Sequence, residues 1–297
     1  MRRKYPSNTQ TNSAGSASTI AKSYRPLMSR IDDTFADLRS RGRKALIPFV
    51  CGGHPRPGST AELLRVMERA GSRIVEVGIP FSDPIADGPV IAAAMSESLA
   101  GGTTPRSILD EVAAVRSSLD IALVAMVSFT IVHRWKGGPH GFISDAASAG
   151  FDGFLVPDAP LEESGPLIDA AKSADRSLAL MVAPTTPPER AKAIASAASG
   201  FVYLLARTGI TGESAKIPDI APAVRALREH TQLPIAAGFG ISTPEHVRAV
   251  VGSSAGNADA AIVGSALVRR ISDAARANQD HMVTVESFAR SLVGGLA

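Results

Sequence analysis

The chain has 297 residues, 45% of them hydrophobic and 20% charged, with a formal net charge of +3. Those proportions exclude a wholly disordered chain, and no apolar run approaches the roughly 20 residues a membrane helix needs. The single cysteine, Cys51, excludes an internal disulfide framework and fits a reducing, cytoplasmic compartment.

Residues 1–27 carry five basic side chains (Arg2, Arg3, Lys4, Lys22, Arg25) and no acid, which leaves −2 for residues 28–297. The larger part is therefore not basic, which argues against nucleic-acid binding. The first 27 residues are rich in Ser, Thr, Asn and Ala and too poor in large apolar groups to offset their ordering entropy, so a disordered leader is expected. An organelle transit peptide or an upstream start codon would leave a similar composition. From Met28 the pattern becomes that of a short amphipathic helix with Ile31, Phe35 and Leu38 on one side.

After Lys44, short apolar runs alternate with helical patterns. The runs begin near Ala45, Arg73, Ile121, Phe151, Ser177, Gly200, Leu233 and Asp259 and lack polar alternation, as strands buried on both faces of a parallel sheet do. The longest, from Ile121 to Val132, reads as a buried strand. Between the runs, Ser59 with Glu62 and Ser242 with Glu245 fit capping boxes, and Thr104-Pro105 opens a helix carrying Ile108, Val112, Val115 and Leu119. Eight strand-then-helix units with no hairpin signal predict one (β/α)8 TIM barrel over residues 28–297. An open doubly wound sheet is the competing architecture, but no Gly-x-Gly-x-x-Gly fingerprint follows the first strand. Strand starts are mostly 23–33 residues apart, but 48 separate the second from the third. The excess falls at residues 80–102, in a loop after a strand, where barrels keep their catalytic groups.

Glu76 stands inside an apolar strand, on the face of Ile74 and Gly78, which is either the barrel interior or the side toward the helices. An unpartnered buried carboxylate costs several kcal/mol, so Glu76 is either catalytic or one half of an ion pair, with Arg73 or an outside group. Asp87 sits in Ala-Asp-Gly-Pro, where Asp is as readily a turn former. Together the two carboxylates could divide the work of proton donor and acceptor. Glycines follow both late strands, at 238–240 and at Gly264-Ser265, each ahead of a helix. Backbone N–H groups at such helix starts bind phosphate, and two such turns predict a phosphate-bearing substrate. No lysine lies within a strand, which argues against a Schiff-base aldolase, and the six histidines and the cysteine show no metal-ligand spacing.

The stretch from Glu76 to Pro89 resembles the signature of tryptophan synthase α chains. The resemblance extends over nearly all of residues 28–297, through Ile47-Pro48-Phe49, Val156 to Pro160, Ala183 to Thr186, Tyr203 to Gly212, Gly238 to Ser242 and Gly264-Ser265. It implies a lyase that splits indole-3-glycerol phosphate by a reverse aldol reaction. Glu76 would be the general acid–base and Asp87 the acceptor for the indole N–H. Phe49, Tyr203, Thr211 and Phe239 would line the indole pocket, and Gly212, Gly240, Gly264 and Ser265 would hold the phosphate. Arg207 to Lys216 would form a mobile loop closing over the substrate. The family implies a pyridoxal-phosphate-bearing β chain as partner in an α2β2 heterotetramer, with no cofactor or metal on this chain. Residues 82–84 and 158–160 would face that partner. A free-standing lyase, a non-catalytic activator of the β chain and another phosphate-binding barrel are the competing functions. Where relatives carry a Tyr and an Asn after the third strand, this chain reads Met126-Val127-Ser128-Phe129-Thr130-Ile131, which opens one wall of the indole pocket unless Phe129 refills it. Cys51 stands where relatives commonly have Thr.

Overall fold

The computed structural model describes residues 29–85, 87–205, 219–238, 240–252 and 257–296. The leader at 1–27 and the loop at 207–216 lie outside the described residues. Eight strands, β1 (Ala45–Cys51), β2 (Ile74–Gly78), β3 (Ala122–Met126), β4 (Gly153–Leu155), β5 (Ser177–Val182), β6 (Val202–Leu205), β7 (Ile235–Gly238) and β8 (Ala260–Val263), form a closed barrel in sequence order. Every pairing is parallel, and β8 returns to β1 with Ala45 opposite Ala260 and Pro48 opposite Val263. Closure explains the unbroken apolar runs, because each strand is covered on both faces. Ile47, Phe49, Ile74, Val124, Tyr203 and Ala236 pack inside the barrel; their neighbours Leu46, Val50, Val75, Leu123, Leu204 and Ile235 pack against the helices. No helix among the described residues is long and apolar enough to cross a membrane.

Ser29 caps the first helix, Arg30–Ser40, in a reciprocal capping box with Asp32. Its apolar face closes the N-terminal end of the barrel. Ile31 is fully buried and lies over Gly153 at the start of β4, Ser29 Oγ is 2.6 Å from Ser177 Oγ at the start of β5, and the Phe35 and Phe201 rings are 6.1 Å apart. Among the described residues this helix covers the N-terminal end of the barrel, which leaves the opposite, C-terminal end for a ligand. At the seam, the last helix, His281–Gly294, packs on the Ser59–Arg69 helix. There the Arg69 guanidinium donates to Glu286 at 2.9 and 2.7 Å, and Arg290 donates to the Arg69 carbonyl at 3.0 Å.

Several local expectations are corrected. Ser59 is the first residue of its helix and does not cap it; Gly58, in a left-handed conformation, precedes it. The Glu111 carboxylate, from the Pro105–Val115 helix, accepts from Gly58 N at 2.9 Å and Thr60 N at 3.1 Å. Thr243 takes the capping role expected of Ser242, accepting from His246 N, because Pro244 sets the first helical position. Leu119 is buried, but beyond a 3-10 turn at Arg116–Ser118 and so off the helix. The run from Ile121 to Val132 divides into β3 and a short helix, Phe129–Arg134. The excess length before β3 is not all loop: a helix at Pro89–Ala100 begins two residues after Asp87.

Candidate functional site

Glu76 lies on the inward face of β2, opposite Phe49 of β1 and Val124 of β3. It is 2% exposed, and its Oε2 is fully buried with no hydrogen-bond partner among the described residues. None of the described basic groups pairs with it, Arg73 included, so the ion-pair alternative finds no support. Burial, reinforced by the negative charge of Asp87, pushes the Glu76 carboxyl up to about 8. Asp87 ends a tight turn in which its N–H donates to the Pro84 carbonyl at 2.9 Å. Burial and then the charge of Asp158 raise its carboxyl to about 6. Burial thus favours the protonated form of Glu76 more strongly than that of Asp87, which suits the first to donate and the second to accept.

Two aromatic side chains define the walls. A Cβ on Gly78 would collide with the Phe49 ring, and a Cβ on Gly238 would collide with the Tyr203 phenol. Each ring thus leans over a glycine of the adjacent strand, a small-against-large pairing that fits both into the barrel mouth. Burial and the charges of Glu76 and Asp87 hold the Tyr203 phenol far above its usual range, so it stays neutral beside both carboxylates. The glycine turns follow β7 and β8, which are neighbours. Gly240 is left-handed, with φ +77°. Gly264 immediately precedes the Ser265–Arg276 helix, and a Cβ there would reach ordinary contact with Ile91 at 3.4 Å and Phe49 at 3.6 Å. Ser265 is buried at the helix start. The structure thus gathers Glu76, Asp87, Phe49, Tyr203 and Gly264 at one mouth; Arg207, Thr211, Gly212 and Phe239 lie outside the described residues.

Gly78 and Gly238 were not singled out as pocket-forming, and only a residue-by-residue pairing of strands would have found them. Asp158, read as partner-facing, also has an electrostatic effect on Asp87. Its carboxylate accepts from Ser128 Oγ and from Phe129 N, both at 2.8 Å. Phe129 does not refill the indole wall: it packs against His133, ring centroids 4.4 Å apart, and joins the outer shell. Cys51 points into the barrel, where burial and the charges of Asp87 and Glu97 keep its thiol protonated. His54, whose N–H donates to the Cys51 carbonyl at 3.2 Å, is buried with its Nε2 2.9 Å from Ser272 Oγ, and burial lowers its basicity.

The sequence model of one protein family, tryptophan synthase alpha chain, matches residues 35–295. A tryptophan synthase alpha chain from Prochlorococcus marinus (strain MIT 9313) is 44% identical over 247 residues, 82% of this chain and 88% of the relative. One from Acaryochloris marina is 40% identical over 91% of this chain and 98% of the relative. Among solved structures, tryptophan synthase subunit alpha from Legionella pneumophila superposes with a TM-score of 0.82 at 30% identity, covering 91% of this chain and 98% of that one.

Proposed function

This chain belongs to the tryptophan synthase alpha chain family, and from that premise we propose that Glu76 and Asp87 carry out the family's cleavage of indole-3-glycerol phosphate to indole and glyceraldehyde 3-phosphate. The observation that carries the assignment is a fully buried carboxylate without a hydrogen-bond partner, Glu76, at the same barrel mouth as the half-buried Asp87, with burial raising both carboxyls above the usual range. Glu76 delivers its proton to indole C3, and the ring nitrogen becomes positively charged. Asp87 accepts the indole N–H and stabilises that charge. Glu76 then takes the proton of the hydroxyl on the adjacent glycerol carbon. The bond from that carbon to C3 breaks, its electron pair returns to the ring, and an aldehyde leaves. Phe49 and Tyr203 flank the ring, and backbone N–H groups at Gly240, Gly264 and Ser265, with Gly212, hold the phosphate. Thr211 and Phe239 complete the indole pocket, and the loop from Arg207 closes over it. No metal or cofactor on this chain is needed for these steps.

A donor that must stay protonated and an acceptor that must be ionised predict a bell-shaped dependence of kcat/KM on pH. Activity should rise as Asp87 deprotonates near pH 6 and fall as Glu76 deprotonates near pH 8. A profile flat from about pH 5 to pH 9, measured with saturating coupling enzyme, would remove the pair from the mechanism.

The partner is a pyridoxal-phosphate-bearing β chain, in an α2β2 assembly in the cytoplasm that receives the indole directly. The exposed Ile85 stands on the same loop as Asp87, so a partner seated on that loop would order the acceptor carboxylate. Indole release from indole-3-glycerol phosphate should therefore be slow for the isolated chain and rise at least ~10-fold on adding β chain, within the usual span of allosteric coupling. Equal rates with and without β chain would favour a free-standing lyase.

A further inference from the structure

A pocket beside Asp87 takes no part in the steps above. Its cavity volume is about 20 Å³, room for one methyl-sized group, and it runs from Asp87 past Ile79, Met95 and Met126 to Ser128 and Asp158. Glu76 does not border it. The space remains open for two local reasons. Phe129 turns outward onto His133, and Ser128 is a small side chain held by the Asp158 carboxylate. Two of its apolar lining residues, Met95 and Met126, are methionines, flexible side chains that adapt to the shape beside them.

We infer that this pocket receives a small apolar substituent on carbon 7 of the indole ring, so that the enzyme accepts 7-substituted substrates, with Met95 and Met126 setting the size limit. The inference rests on the proposed roles of Glu76 and Asp87. With C3 at Glu76 and N1 at Asp87, C2 lies between the two carboxyls. Carbon 7 lies beyond N1, on the side of Asp87 away from Glu76, and the pocket touches Asp87 without touching Glu76. Carbon 4 instead lies beside C3, toward the packed interior of Phe49 and Tyr203. An extra methyl group in a filled hydrophobic pocket is rejected by about 10- to 200-fold; in open apolar space it gains burial. The carboxylates of Asp87 and Asp158 in the wall exclude an anionic substituent.

The test is the condensation of glyceraldehyde 3-phosphate with indole, 4-methylindole and 7-methylindole, catalysed by the full chain together with its β chain lacking serine. In this direction C3 attacks the aldehyde carbon, the carbonyl oxygen takes a proton from Glu76, and C3 returns its own proton to that carboxylate. The expected kcat/KM for 7-methylindole is within about threefold of indole, and that for 4-methylindole at least about tenfold lower. Met126→Phe and Met95→Phe should each lower the ratio of 7-methylindole to indole at least about tenfold, a comparison internal to each variant. Indole that condenses while both methylindoles are equally poor substrates would overturn the inference and leave the site reading intact. Failure of indole itself to condense would overturn the site reading and the inference with it. A 7-methyl ratio unmoved in whichever phenylalanine variant folds would separate the tolerance from this pocket and overturn the role given to the methionines.

Discussion

Glu76→Gln should lower indole release by a factor on the order of 10² to 10⁴, the contribution of a positioned proton donor. Folding should survive, because an amide is cheaper to bury than a carboxylate that lacks a partner. The stability change has a definite sign. The folded-state carboxyl titrates near 8, against 4.5 for the free side chain, so between those values the folded state binds more protons than the unfolded one. Wild-type stability is therefore lost as pH rises from about 4.5 toward 8. Gln does not titrate, so the variant should melt at a higher temperature than wild type at pH 8 to 9, by several degrees. Stimulation of the β reaction from added indole and serine should persist, since Glu76 lies inside the barrel and not on its rim. Retained indole release would exclude Glu76 from the chemistry. Loss of both activities with an unfolded circular dichroism spectrum would restore a purely structural carboxylate.

Gly240→Val and Gly264→Val should each raise KM for indole-3-glycerol phosphate by roughly 10²-fold, the loss of one to two charge-assisted hydrogen bonds to phosphate. The two positions differ in why. Gly240 has φ +77°, where a β-branched residue is strained whatever space it finds, so its variant should also melt several degrees lower. Gly264 has φ −108°, and its Cβ direction meets only ordinary contacts. Its variant should keep its melting temperature, and a rise in KM there reports occlusion of the phosphate alone. Unchanged KM in both variants would place the phosphate elsewhere.

The barrel was legible because closure of a parallel sheet imposes one simple rule, unbroken apolar runs spaced by amphipathic helices, and each of the eight runs became a strand. Glu76 was legible as an exception to that rule, a carboxylate where only apolar groups belong; which face it occupied was not, because alternation gives parity and no direction. Asp87 in its turn was indistinguishable from a turn former until its distance in sequence from Glu76 was folded away. Capping was misread where the partner was remote: Glu111 is about fifty residues from the helix start it satisfies. Phe129 was misplaced because an apolar run crossing from strand to helix changes the direction its side chains face. The glycines beneath Phe49 and Tyr203 depend on strand register, which no local pattern encodes.

The seam between the two ends of the chain has a consequence for how the protein is made. β1 finds one of its two neighbours only in β8, and the Ser59–Arg69 helix is gripped by the last helix through Glu286 and Arg290. A ribosome adding 5–20 residues per second delivers β8 roughly ten to forty seconds after β1. Throughout that interval the first strand has an open edge facing solvent, a template for pairing with another nascent chain. Translation to the final helix is thus a condition for sealing the barrel, and a transcript that ends early yields a chain with one unpaired edge at each end of its sheet.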